Sequence, residues 1–160
     1  MKKRILSLLL LAALSLTLLT ACGGKKEDSA KSVDLAGFYT SITEKYETPM
    51  AEALPDDVLP TFYPGLESIA LTQKVLYAPM MSAVAWEIAM VEVENSGDAD
   101  KVANIFQARI DAQAAGGAWY PETVEGWVNN SRLVTNGSYV LMIVGEDCDS
   151  IVADFEALLK

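Results

Sequence analysis

The run Ala83-Val84-Ala85-Trp86-Glu87-Ile88-Ala89-Met90-Val91-Glu92-Val93 constrains the fold more than any other stretch of this chain. Successive side chains of a strand alternate between faces. One face would carry Val84, Trp86, Ile88 and Met90, and the other Ala85, Glu87, Ala89, Val91 and Val93. Both faces are largely apolar, as in a strand at the centre of a sheet. Ala and Met would also suit a helix, but the alternating glutamates favour a strand.

The other segments supply partners for that strand. Leu35, Phe38, Ile42 and Tyr46 fall three and four apart and predict an amphipathic helix over 33–47, capped by Ser32 or Asp34 and stopped by Pro49. Residues 50–66 are broken by Pro55, Pro60 and Pro64-Gly65. Pro55, followed by Asp56 and Asp57, suits the first turn of one short helix, and Phe62-Tyr63-Pro64-Gly65 reads as a turn. Residues 72–77 predict a short strand. Val102, Ile105, Phe106 and Ile110 predict a helix from an Asp98 cap to about residue 115, ended by Gly116-Gly117. A short helix is expected over 122–130. Two β-rich runs around Asn136-Gly137 predict a hairpin whose type I′ turn needs φ > 0 at both residues. Asp147 or Asp149 caps a last helix that buries Ile151, Val152, Phe155, Leu158 and Leu159. The expectation is a single α+β domain over 34–160, a small antiparallel sheet of three or four strands with helices packed on it.

The first residues carry a different message. Lys2, Lys3 and Arg4 precede an uncharged apolar run over 5–19, which closes on Leu19-Thr20-Ala21-Cys22. That is the layout of a secretory signal, and its end resembles the lipobox of bacterial lipoproteins. The run sits near the lower limit of the roughly 17–25 residues that span a bilayer. The resemblance implies that residues 1–21 are a signal peptide cut before Cys22, and that Cys22 is the lipidation site. Two acyl chains there would satisfy the two-signal requirement for stable anchoring. Residues 22–33 are polar and Gly-led, a flexible tether reaching on the order of 15–20 Å. The expected location is the extracytoplasmic face of the cell membrane, with the lipid anchor as the membrane contact.

Composition then removes whole classes of chemistry. The chain holds 12 Lys+Arg against 22 Asp+Glu and no histidine. Setting aside the three cations of the signal leaves 9 against 22, a formal charge of −13. So acidic a domain is repelled by nucleic acid. Without histidine there is no Ser-His-Asp or Cys-His catalysis and no His-bearing zinc site. With Cys22 lipidated, Cys148 has no disulfide partner, and Glu146, Asp147 and Asp149 around it oppose thiolate formation. No cofactor-binding loop and no metal-ligand spacing is present, since Asp98-Ala99-Asp100 lacks the other ligands and the glycine of a calcium loop.

Several of these segments taken together resemble a family. They are the lipobox signal, Tyr77-Ala78-Pro79-Met80-Met81-Ser82-Ala83, Glu87-Ile88-Ala89-Met90-Val91, the helix carrying Gln107-Ala108-Arg109, and the hairpin Asn136-Gly137-Ser138-Tyr139-Val140. They are similar to the Gram-positive, clostridial-type lipoproteins that carry domain of unknown function 4358. The resemblance implies a secreted, lipid-anchored α+β domain and implies no activity.

Two groups of residues are candidates for a site. Trp119, Tyr120 and Trp127 are a ligand-binding candidate, because aromatic faces suit sugar rings or peptide prolines; the alternative is that they fill the gap between helix and hairpin. Glu87 sits mid-strand among apolar residues and needs a partner if buried. Arg109, on the next helix, is that partner in a structural ion pair. The leading function is a non-catalytic binding or accessory module at the cell surface, with a protein or cell-wall partner. The alternative is a small extracytoplasmic hydrolase that pairs Glu87 with Glu92 or Glu94.

Overall fold

The computed structural model describes residues 32–160. The signal peptide, Cys22 and nearly all of the tether lie outside the described residues. Helix α1 (Leu35–Lys45) opens on Asp34, whose side chain accepts the N–H of Gly37, and it ends at Lys45, four residues before Pro49. Strand β1 (Ala51–Ala53) and a one-turn α2 (Leu59–Phe62) follow. Gly65, at φ +95°, turns the chain into a 3₁₀ turn. Strands β2 (Leu71–Pro79) and β3 (Glu87–Val93) lead to α3 (Ala99–Ala112). A π turn (Gln113–Gly117), α4 (Pro121–Asn129), β4 (Ser131–Asn136), β5 (Tyr139–Val144) and α5 (Cys148–Leu158) complete the chain.

All strand pairs are antiparallel, in the order β1-β2-β3-β5-β4, with β3 at the centre. The fold is α+β, and the sheet has five strands where the sequence predicts three or four. The extra strand is β1, which pairs Ala51 with Pro79 and Ala53 with Tyr77. Three residues between Pro49 and Pro55, one half-buried and two exposed, are too few to show an alternation, so the strand left no pattern.

Helices cover both faces of this sheet. On one face Ala89, Val91, Val140 and Met142 pack against Tyr63, Val102, Phe106 and Trp127 from α2 to α4. On the other, Ile88, Met90, Leu141 and Ile143 pack against Leu35, Phe38 and Ile42 of α1 and Cys148, Ile151 and Phe155 of α5. Every residue of β5 is buried. The doubly apolar reading of β3 is thus met by a layer of helix on each side.

Several local expectations are corrected. The strand begins at Glu87, not Ala83, because Ala85 is pressed against Gly126 and Trp86 against Gly145. A Cβ on Gly126 would lie 2.4 Å from that of Ala85. The short helix starts at Leu59 instead of Pro55, with Pro60 in its first turn. Asp98 makes no capping bond; a 3₁₀ turn capped by Asn95 comes first, and Asp98 pairs with Lys101 at 2.6 Å. In the hairpin, Asn136 pairs with Tyr139, so the two turn residues are Gly137 and Ser138. Only Gly137 has positive φ, +61°, which fits a type II′ turn and not the type I′ expected. Val33, read as tether, is buried: the Tyr139 hydroxyl accepts its N–H at 3.1 Å, and its carbonyl accepts from Gln73 Nε2 at 2.7 Å.

Candidate functional site

Glu87 opens β3 and faces the α2–α4 layer, where it is 2% exposed. A buried carboxylate must be fully hydrogen-bonded or it is very costly. Three donors meet it. The Tyr63 hydroxyl donates to Oε1 at 2.6 Å, Arg109 Nε donates to Oε1 at 3.0 Å, and Arg109 Nη2 donates to Oε2 at 2.7 Å. Arg109 reaches Glu87 because α3 presents Val102, Phe106 and Ile110 to the sheet, and position 109 stands three beyond Phe106 on the edge of that stripe. Its guanidinium carbon lies 4.5 Å from the Phe62 ring centre and 5.4 Å from that of Trp127, within cation–π range of both. Tyr63 in turn packs edge-on against Phe106 with ring centres 5.2 Å apart. Burial, followed by the neighbouring carboxylate of Glu87, holds the Tyr63 phenol well above its ordinary pKa. It stays a proton donor.

Beside this pair lies a cavity of about 240 Å³ lined by Glu87, Arg109, Gln113, Thr123, Trp127 and the loop between β2 and β3. Two features mark it. Thr123 is 3% exposed, and its hydroxyl is the buried side-chain oxygen that has no hydrogen-bond partner among the described residues. Met80 and Met81, from the same wall, are largely exposed although apolar. Buried polar groups are nearly always paired, so this orphan beside the cavity stands out.

The aromatic candidates are not brought together. Trp127 is 4% exposed, part of the core and of the cavity wall. Trp119 is 86% exposed and Tyr120 is half out; neither lines this cavity. Tyr120 occupies the N-cap position of α4 and makes no side-chain cap bond. Glu87 and Arg109 do meet. Glu92 sits five residues along β3, on the opposite face, where Gln73 Nε2 donates to it at 2.7 Å while also bonding Val33. Five residues of strand span about 16 Å, against the roughly 5–9.5 Å between glycosidase carboxyls. Glu94 shares the parity of Glu92, so neither can face Glu87. Among the described residues no group of three acidic or cysteine side chains is placed to hold a metal ion.

Phe62, Tyr63 and Thr123 belong to the site and went unread in the sequence. The first two look like turn residues before Pro64-Gly65, and nothing local shows that their rings fold back over α3. The signal that was available is the pair Met80-Met81, two large apolar residues in a loop.

The cavity and the chain's entry are at opposite ends of the sheet. Val33 is held where β3 and β2 meet near Glu92 and Gln73, whereas Glu87 lies at the other end of β3, about 16 Å away at strand rise.

The chain belongs to the family described as domain of unknown function DUF4358, whose model matches residues 45–145, well over half of its length. The match contains Tyr63, Glu87, Arg109 and Thr123, and leaves out nearly all of α1 and all of α5. No curated protein and no solved structure matches the chain.

Proposed function

We propose that this member of the DUF4358 family is an extracytoplasmic lipoprotein, anchored through Cys22, that works as a non-catalytic binding module. The observation that carries the reading is the partly open cavity beside Glu87. Its one buried carboxylate is consumed by Tyr63 and Arg109, so no free carboxylate remains there to serve as a base for a lining hydroxyl. The unpaired Thr123 hydroxyl and the exposed Met80 and Met81 instead offer contacts to an occupant. Flexible thioethers suit surfaces that adapt to a ligand. Placing the cavity at the far end of β3 from Val33 leaves it open to partners while the N-terminus is tied to a membrane.

Two measurements test this. Cys22→Ala should release the protein from the membrane fraction or leave the signal uncleaved; normal processing and membrane retention would remove the anchor. A photo-crosslinking residue at position 81, in intact cells, should give an adduct that the same residue at exposed position 44 does not. Equal labelling from both positions would remove the binding site.

A further inference from the structure

We propose that the cavity beside Glu87 takes an uncharged peptide segment, binding a backbone carbonyl with its polar groups and an apolar side chain with its methionines. The inference rests on the binding-module reading and specifies its ligand.

Unpaired donors stand around this space. Arg109 uses Nε and Nη2 on Glu87, and its Nη1 has no acceptor among the described residues. Thr123 contributes a buried hydroxyl without a partner. Thr123 also lies in the first turn of α4, where backbone N–H groups have no intrahelical acceptor, and Tyr120 supplies no capping side chain. Glu87, by contrast, already receives three hydrogen bonds. The complementary ligand is therefore an acceptor. The Thr123 oxygen is closed to bulk water, so the occupant reaches it as the flexible walls give; Met80, Met81 and Gln113 are all long, unbranched side chains lining the same space.

Charge decides between an acceptor that is neutral and one that is anionic. Arg109 is already neutralised by Glu87, and a carboxylate ligand would leave a net negative charge in a partly buried site, which is costly. It would also enter against the field of a domain with a large acidic excess. An amide carbonyl adds no charge. About 240 Å³ is room for roughly one residue, and the wall of Met80, Met81, Val84 and Trp127 is apolar. This favours a peptide with an apolar side chain over a sugar, whose hydroxyls would find few partners on that wall.

The test is titration of the full mature protein with three probes: N-acetyl-leucine N-methylamide, N-acetyl-leucine and N-acetylglucosamine. The first is expected to bind most tightly. Thr123→Val, which keeps the shape and removes the hydroxyl, should weaken that binding by about fivefold, the worth of one hydrogen bond, and should leave Tm unchanged or higher, since the hydroxyl bonds nothing in the free protein. Tighter binding of N-acetyl-leucine would overturn the neutral ligand, and tighter binding of N-acetylglucosamine would overturn the peptide, with the binding-module reading intact in both cases. A fall of several degrees in Tm for Thr123→Val would show a structural hydroxyl and remove it from the site. If none of the probes binds, the peptide assignment fails; the module itself fails only if the position-81 crosslink is also absent.

Discussion

At the scale of single residues, Glu87 is the side chain on which the α2–α4 face turns. A buried ion pair contributes little against a well-packed apolar substitute, yet removing one partner strands the other. Arg109→Ala should therefore cost about 3–5 kcal/mol in urea unfolding, whereas Glu87→Leu with Arg109→Met should recover much of that loss. Equal destabilisation by the single and the double variant would show that packing, not charge, sets the cost. Tyr63 gives the pair a pH dependence. Its folded-state pKa is raised, first by burial and then by the carboxylate of Glu87. The unfolded chain ionises first, so this contribution to stability is complete below the ordinary phenol pKa of about 10 and is lost as pH rises above it. Tm should fall on the alkaline side, and Tyr63→Phe, starting from a lower Tm after losing its bond to Glu87, should fall less steeply. Parallel alkaline curves for the two proteins would contradict the assignment. The Glu87–Arg109 contact was legible from sequence, because a glutamate amid apolar strand residues demands a cation and α3 supplies one. Tyr63 was not, since a third donor from a Pro-Gly turn depends on how α2 folds back over α3.

At the scale of elements, what the sequence shows well is periodicity and what it shows poorly is where periodicity stops. The stripes of α1, α3 and α5 and the alternation in β3 each persist long enough to be read. The pattern places the start of β3 four residues early because Ala83 to Trp86 are as apolar as the strand itself. What ends the strand there is a contact with a distant element, Ala85 on Gly126, which no local pattern carries. Gly126→Ala should drive two β-carbons together and cost about 1–3 kcal/mol, as overpacking does. Adding Ala85→Gly should restore most of the loss. An additive double variant in thermal unfolding would mean that the loop and α4 are not wedged in this way. The hairpin shows the same limit at one residue's resolution: Asn136-Gly137 announces a turn, but the pairing of Asn136 with Tyr139 shifts it to Gly137-Ser138.

At the scale of the whole molecule, two cores share one sheet. Trp127 belongs to the core under α3 and α4, and Trp86 to the core under α1 and α5. β3 and β5 feed both, so unpairing these two strands opens both cores at once. In a Trp119→Phe background, proteins keeping only Trp86 or only Trp127 should each unfold in one step, with the fluorescence and far-UV dichroism midpoints of that protein coinciding. Separate transitions would reveal two folding units. The family match stops short of most of α1 and all of α5, although Ile88, Met90, Leu141 and Ile143 need both helices as cover. The clasp at Val33 acquires a meaning here that burial alone does not give it. Leu35 donates its N–H to Gln73 Oε1 at 3.0 Å, so Val33 and Leu35 are knotted through one glutamine to β2, and through Tyr139 to β5. If the chain is anchored as proposed, a tug on the anchor would enter at this knot. Tension would then pass sideways into the two neighbours of the central strand before loading the packing of α1. The knot would then be a mechanical stop: once it gave, α1 would be free to peel from the sheet and bare the apolar face beneath.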